Sequence, residues 1–419
     1  MQPVSALSTS EKEAICQDTL RRLVACQKDV DVILFHNLRV QLLTKVVGMW
    51  EKDGRDQAIQ TLVTFILGDY SNRRGHEIAE HLLYDTFSRM PDLDSYDGTE
   101  YGKLLQNIVE GITEKLPPRN KSLPILLREV PVVTTDALDV VERLCNADVK
   151  SGEPQTHSLS DWVTLGLSTM RDLIINRPVL EERCLSVCLS CTVHENPLIR
   201  DKAIRLVANQ LYALPSCSIP IEEFASERLN HMASEAADGL KVEDEGTKVL
   251  DGKAEEGSKL DNADAHVDNM SADADVKAAV ETAKLVTLVT EKSSLFFALC
   301  VKKQTLLHTL STVYAKATKE LREAIDKTVG SNGGLASAFS SSSPALLQLV
   351  QSPVHGAEGL LRVMLQNIAD NAEPIRDLAT CVLRLYHTKN DPRFLIPVLG
   401  SLKKDEILSV LQTIVKLPE

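Results

Sequence analysis

Aromatic residues are scarce in this chain: Phe, Tyr and Trp together make up 4% of it, whereas 43% of its residues are hydrophobic. Aliphatic residues supply most of the apolar surface, and no sustained alternation of apolar and polar positions accompanies them. Such alternation, with aromatic and β-branched residues, is the pattern of a half-buried strand, so its lack argues against a β-sheet fold. We therefore expect an all-α protein in which aliphatic helices pack on one another.

An excess of positive charge is also lacking, since the net charge is −13. Residues 231–275 account for most of it, because they hold 13 acidic and 4 basic residues. They contain no aromatic residue, so they have little apolar surface to offset the entropy of ordering, and we expect a disordered acidic linker. Without a basic patch elsewhere, we expect no direct binding to nucleic acid.

Long apolar runs are missing as well. No stretch approaches the roughly 20 residues that cross a bilayer, and residues 1–17 show no apolar core of a signal peptide. The nine cysteines are an odd number scattered along apolar segments, which fits reduced thiols better than a disulfide framework. We expect a soluble intracellular protein with no membrane partner.

Prolines and helical periodicity divide the chain into segments. Pro117-Pro118 ends a helix that begins at Glu100, and Thr135-Asp136 is placed to cap a helix over 137–144. We expect a disordered N-terminus at 1–10, helical repeats over 11–118, 119–230 and 276–419, and the acidic linker at 231–275.

One short motif occurs twice. The run PLIRDKA at 197–203 returns as PIRDLA at 374–379. Proline suits the first turn of a helix, and alanine lets a neighbouring helix lie close. Each copy therefore predicts the second helix of a hairpin, in a pattern typical of HEAT repeats. Two such hairpins predict a HEAT-like α-solenoid.

The two copies differ six positions before the arginine. Asp370 stands there before Arg376, whereas His194 stands there before Arg200. We expect Asp370 and Arg376 to form a buried or half-buried ion pair within one hairpin. On this expectation Arg376→Ala lowers stability more than Arg200→Ala.

Three cysteines, Cys184, Cys188 and Cys191, have the C-x3-C-x2-C spacing of an iron–sulfur motif. Such a motif wraps its cluster with a loop, but here the offsets fall on one stripe of a helix. Because free cysteine behaves as a small buried hydrophobe, we expect these residues to be packing residues.

Two histidines resemble the zinc-protease pattern H-E-x-x-H with one residue too many. His76, Glu77 and His81 lie on a predicted helix, where five positions separate the imidazoles by roughly 140°. We therefore expect a polar helix face rather than a shared metal. No nucleophile elbow or phosphate loop occurs either, so we expect no enzyme, no cofactor and no metal site.

A partner surface is expected at the C-terminal end. Apolar residues at helical spacing follow a charged first turn, and one side of their stripe is free to pack on residues 394–399. An uncovered apolar stripe marks either an interface or a surface prone to aggregation. The candidate partner-binding residues are Lys403, Lys404, Glu406, Leu408, Leu411, Ile414 and Val415.

Four blocks resemble the symplekin family in the same order. They are ILGDY at 66–70 with Arg73 and LLY at 82–84; VPVVTTDALDVV at 130–141; LGLSTMRDLI at 165–174 with NRP at 176–178; and DPRFLIPVL at 391–399 with Gly400, LKK at 402–404 and EI at 406–407. The resemblance covers residues from about 30 to 419 and makes 276–419 similar to the family's C-terminal region.

This resemblance implies a non-catalytic nuclear scaffold of messenger-RNA 3′-end processing. The implied partners are the endonuclease of the cleavage and polyadenylation specificity factor, its inactive homologue, and the cleavage stimulation factor. Family chains are longer, with an N-terminal HEAT domain and further helices after the last block, so we expect either a truncated paralogue or an incomplete gene model here. The alternative is a HEAT-type adaptor of another pathway, such as transport or phosphatase assembly.

Overall fold

The fold is all-α, as the sequence predicts. The computed structural model describes residues 8–25, 41–42, 45, 52–68, 70, 74–91, 95–146, 158–245, 269–331, 334–371 and 374–415. Over these ranges the backbone forms helices and turns and no strand. None of the helices in this part of the chain is long and apolar enough to cross a membrane.

The chain divides into two compact units, Met1–Cys191 and Thr192–Glu419. This division differs from the three helical groups that the sequence predicts. The first unit holds α1 (Thr9–Ala25), α2 (Lys52–Gly68), α3 (Arg74–Ser88), α4 (Glu100–Lys115), α5 (Ser122–Glu129), α6 (Thr135–Cys145), α7 (Leu159–Asn176) and α8 (Glu181–Cys191).

Helices of the first unit pack in a regular order. Each helix from α2 to α6 contacts the helix two places further along the chain, so that α2 meets α4, α3 meets α5, and the series continues to α6 with α8. Several also contact their immediate neighbours, among them α2 with α3 and α6 with α7. Tyr101, Leu105 and Ile108 of α4 are fully buried in this packing.

The second unit is built in the same way, and two of its helices are longer than any in the first unit. It holds α9 (Pro197–Leu206), α10 (Pro215–Glu245), α11 (Asn269–Lys302), α12 (Leu306–Lys316), α13 (Lys319–Gly330), α14 (Pro344–Gln351), α15 (Glu358–Asn371), α16 (Arg376–Lys389) and α17 (Lys404–Ile414). Each helix from α9 to α14 again contacts the second helix after it. Short 3-10 turns at Pro392–Phe394 and Ile396–Ser401 lie between α16 and α17.

Helix ends follow local sequence signals, with one shift. The helix from Glu100 ends at Lys115, directly before Leu116 and the two prolines. The predicted cap at Thr135 is one residue late, because Thr134 is the cap and its hydroxyl accepts from the Ala137 N–H. A threonine pair offers two hydroxyls, and the one outside the helical backbone takes the capping position.

The N-terminal segment is helical sooner than predicted. Disorder is expected over 1–10, but α1 begins at Thr9. Ser8 and Glu11 form a capping box, in which the Glu11 carboxylate accepts from the Ser8 N–H at 2.9 Å and the Ser8 hydroxyl accepts from the Glu11 N–H at 3.4 Å. Residues 1–7 lie outside the described part.

The predicted linker also begins too early and ends too late. It is expected over 231–275, but α10 continues to Glu245 and α11 begins at Asn269. Met232 is fully buried, and its sulfur accepts a hydrogen bond from Ser293 of α11. Acidic composition therefore misleads here, because Ala, Leu, Glu and Lys are also good helix formers. Residues 246–268 lie outside the described part.

Candidate functional site

Arg200 holds the turn that precedes its own helix. It lies near the start of α9 and is 7% exposed. Its Nη1 atom donates to the His194 carbonyl at 2.8 Å and to the Glu195 carbonyl at 3.1 Å, and it lies 3.6 Å from the Glu291 carboxylate of α11. One guanidinium thus pairs with two backbone carbonyls and a carboxylate. These contacts compensate for the hydration that the carbonyls and the carboxylate lose on burial.

The same arrangement recurs at two other helix ends. Near the start of α13, Arg322 donates from Nε to the Tyr314 carbonyl at 3.1 Å and from Nη2 to the Ala315 carbonyl at 2.7 Å, both at the end of α12. In the first unit Arg177 donates to the Arg128 carbonyl at 2.7 Å and the Pro131 carbonyl at 3.1 Å. These arginines satisfy the carbonyls that helix ends leave open.

The prediction of a buried or half-buried ion pair between Asp370 and Arg376 is wrong. Both residues are exposed, and Asp370 accepts instead from the Gln366 amide within α15, at 2.8 Å. The expected order of importance therefore reverses, because the buried arginine is Arg200. The partners of Arg200 are backbone carbonyls of the turn and Glu291 of α11. Glu291 is distant along the chain, so a search for an acidic residue six positions before the arginine does not identify it.

The seven candidate partner-binding residues lie on and around α17. Leu408, Leu411 and Val415 are 58%, 44% and 75% exposed and share one side of the helix, which we call the C-terminal face. Ile414 is half-buried. Val410, which the sequence did not single out, is the residue of this helix that is buried, on the side that meets the turn Pro392–Phe394.

The charged residues at the start of α17 divide into two roles. Lys403 and Lys404 are exposed, whereas Glu406 is half-buried and its carboxylate accepts from the Lys403 N–H at 2.8 Å. Glu406 therefore caps the N-terminus of the helix. The side chains available for recognition are the two lysines and the C-terminal face.

Cysteines of α8 pack in the core of the first unit. Cys184, Cys188 and Cys191 are all fully buried on one stripe of the helix, as the sequence predicts. The structure adds Cys145 of α6, whose hydrogen bond with Cys191, together with burial, raises the pKa of the Cys145 thiol. Burial also raises the pKa of Cys184 to about 11. These two groups therefore remain thiols rather than reactive thiolates at neutral pH.

A second group of polar side chains meets between α3 and α5. His76 and Glu80 stand one turn apart on α3, and Glu129 is the last residue of α5. The His76 Nε2 atom lies 2.7 Å from Glu129 Oε2, and the ligand atoms of all three residues lie within 4.8 Å of one another. His76 is therefore not part of a solvated polar face, whereas His81 is exposed.

Surrounding groups fix the positions of this cluster. The Tyr70 hydroxyl lies 2.9 Å from His76 Nδ1, and burial and the nearby Glu129 and Glu80 carboxylates raise the pKa of Tyr70, so it stays a phenol. The Tyr84 hydroxyl donates to the Glu129 carbonyl at 2.9 Å. Burial opposes ionisation of Glu129, but hydrogen bonds from His76 and Arg128 outweigh it and lower the pKa of that carboxyl.

Only part of this cluster carries a signal in the sequence. The His76–Glu80 spacing of four positions places both side chains on one face of a helix, so this pair could be predicted from the sequence. Glu129 follows His76 by 53 positions and has no pattern that links it to α3. The sequence-based interpretation paired His76 with His81 and did not pair it with Glu80, which is closer along the helix.

Comparison with known proteins adds no family assignment. No family model matches the chain, and no solved structure matches it. The geometry and the sequence blocks are therefore the observations from which a function is inferred.

Proposed function

We propose that this chain is a non-catalytic nuclear scaffold of the symplekin kind, which assembles the pre-mRNA cleavage and polyadenylation machinery. On this proposal each unit is a HEAT-like solenoid of stacked helical hairpins. The observation that carries the scaffold is the contact of successive helices with the second helix along the chain, which runs from α2 to α8 and from α9 to α16.

That order of contacts is what stacked hairpins produce. In a hairpin repeat, first helices stack on first helices and second helices on second helices, so each helix meets the one two places away. A single hairpin cannot bury both sides of its helices, and the stack supplies the missing contacts. Stacks of this kind expose one side of each helix in turn, which suits the binding of several proteins at once.

The sequence blocks supply the more specific part of the proposal. They support it because residues of different blocks contact one another at the ends of helices. Arg177, in the third block, donates to the carbonyl of Pro131 in the second block. Gly166, also in the third block, lies against the backbone of Leu144 and Cys145, which follow the second block at the end of α6.

The C-terminal face is the proposed contact for the endonuclease of the specificity factor and its inactive homologue, with the cleavage stimulation factor as a further partner. The core of a protein interface is apolar, and its rim is polar and exposed to solvent. Leu408, Leu411 and Val415 provide the apolar centre, and Lys403 and Lys404 lie at its edge.

Affinity purification of the full chain from nuclear extract, followed by mass spectrometry, tests this proposal. We expect both endonuclease-type subunits in the wild-type eluate and at least a tenfold loss from a Leu408→Asp/Leu411→Asp variant. A Ser409→Asp/Thr413→Asp variant is the matched control, because it adds the same charge on the exposed polar side of α17. Recovery of transport or phosphatase subunits without the cleavage subunits would instead support the adaptor alternative and refute the proposal.

A further inference from the structure

The His76 cluster places three metal-binding side chains at one point of the first unit. We propose that His76, Glu80 and Glu129 bind a divalent cation of the zinc class, which joins α3 to α5. The three ligand atoms already lie within 4.8 Å of one another. This site is independent of the scaffold function and adds a metal where the sequence predicts none.

The chemistry of the donor set suits such an ion. Zinc takes imidazole nitrogen and carboxylate oxygen at about 2.0–2.2 Å, and three protein ligands leave a fourth position for water. His76 and Glu80 are one helical turn apart, which is the spacing that lets two helical side chains hold one ion. Glu129 comes from a different helix, so the ion would cross-link two elements.

Local electrostatics favour a cation at this point. Glu129 is the last residue of α5, so its carboxylate lies at the negative end of the helix dipole, an unfavourable place for an anion. Glu80 adds a second carboxylate close by. Arg128 lies 3.3 Å from Glu129 Oε1, which leaves Oε2 directed at His76. A divalent ion would neutralise both carboxylates together.

The His76 ring is oriented by a contact at its second nitrogen, as a metal-binding histidine requires. Ligating histidines usually engage their second ring nitrogen with a neighbouring oxygen, which sets the tautomer and the ring orientation. Tyr70 fills this role at Nδ1, at 2.9 Å. A phenol can donate or accept, so it serves His76 whether the ring proton is on Nδ1 or on Nε2.

Little movement is needed to admit the ion. His76 Nε2 and Glu129 Oε2 are 2.7 Å apart, the distance of a hydrogen bond with a proton between them. Tetrahedral ligands of zinc stand about 3.3 Å apart, as the bond lengths imply. An opening of about half an ångström between these two atoms, reached by rotating the Glu129 side chain, makes room for the metal, and the shared proton is released to water. Glu80, whose ligand atom lies within 4.8 Å of the other two, moves in to complete the set. His76 is 15% exposed and Glu129 35%, so water reaches the open position.

Zinc titration of the chelator-treated full chain, with a competing colorimetric indicator, tests this site. Glu80→Gln is the main variant, because it removes a charged ligand and leaves the His76–Glu129 contact that the fold uses. We expect this variant to bind zinc at the site at least tenfold more weakly, and Glu129→Gln to do the same. Tyr70→Phe should weaken binding by about tenfold through the lost orientation of His76.

Controls on the same helix separate the site from general charge effects. Glu77→Gln and His81→Ala are exposed positions of α3 and should bind zinc like the wild type. Circular dichroism confirms folding of each variant. Equal zinc affinity in Glu80→Gln and in wild type would overturn the proposal.

Buried thiols are the competing zinc ligands in the same unit. Cobalt distinguishes them, because thiolate ligands give a charge-transfer band that imidazole and carboxylates lack. We expect a cobalt spectrum without that band, and unchanged binding in a Cys145→Ser/Cys191→Ser variant. A thiolate band, or loss of binding in the cysteine variant alone, would assign the metal to the cysteines and contradict the proposal.

Discussion

Single arginine side chains determine how the helix ends of this protein are satisfied. Arg200, Arg322 and Arg177 each donate to carbonyls at a neighbouring helix end or turn. The sequence drew attention to Arg200 through the repeated motif, but assigned the structural weight to Arg376. Burial determines which arginine contributes more to stability, because an exposed arginine has water as an alternative partner and a buried one does not.

Arg200→Ala should lower the free energy of unfolding of the second unit by about 2–4 kcal/mol, since it leaves two carbonyls and Glu291 without their buried partner. Arg376→Ala is the exposed control and should cost less than about 0.5 kcal/mol. Urea unfolding followed by circular dichroism measures both. Equal losses in the two variants would show that the buried contacts carry no special weight.

Helix pairs show how much of the fold a sequence reveals. Pro117 and Pro178 mark helix ends correctly, because proline acts within its own turn. The extent of α10 was missed, since burial of Met232 depends on α11, which is distant along the chain. His76 and Glu129 illustrate the same limit: each local helix is predictable, but the meeting of their side chains is not.

Close approach of α6 and α7 requires glycine at position 166. A Cβ atom there would lie 2.7 Å from the Cys145 backbone nitrogen and 3.0 Å from the Leu144 carbonyl carbon, and backbone atoms cannot move aside cheaply. We expect Gly166→Ala to destabilise the first unit by about 1–3 kcal/mol.

Gly68 provides the matched control, because a Cβ at this position meets nothing within 4 Å. Gly68→Ala should change stability by less than about 0.5 kcal/mol. Trp162 of α7 belongs to the first unit, so its fluorescence during urea unfolding follows this unit. A neutral Gly166→Ala would contradict the packing of α6 on α7.

The junction of α10 with the end of α11 should weaken in acid. The Glu222 carboxylate accepts from Lys303 Nζ at 2.8 Å and from the Tyr212 hydroxyl at 2.7 Å. Burial opposes ionisation of Glu222, but these hydrogen bonds outweigh it and lower the pKa of its carboxyl. A lowered folded-state pKa means that the stabilisation is complete above the unfolded value of about 4.3 and is lost as the pH falls through the folded value.

We therefore expect the second unit to lose about 1 kcal/mol from this contact as the pH falls from 6 to well below 4, a modest value because Lys303 is partly exposed. Glu222→Gln should lower stability at pH 6 and reduce the difference between the two pH values. Urea unfolding at both pH values measures the effect. An acid loss of the same size in wild type and variant would remove Glu222 as its source.

At the scale of the whole molecule, two units repeat one order of helix contacts. The sequence predicts the helical class correctly from its composition. The sequence predicts three helical groups, whereas the structure divides into two units between Cys191 and Thr192, beside a short turn with no change in composition. Boundaries of this kind depend on which helices pack together, and that is a property of distant residues.

The scaffold claim is tested most directly by assembly from purified parts. The full chain would be mixed with the endonuclease pair of the specificity factor and with the cleavage stimulation factor, and the mass of the products measured by size exclusion with light scattering. We predict one complex that contains all components, which forms only when this chain is present and is lost with the Leu408→Asp/Leu411→Asp variant. Separate elution of the components with the wild-type chain present would contradict the account.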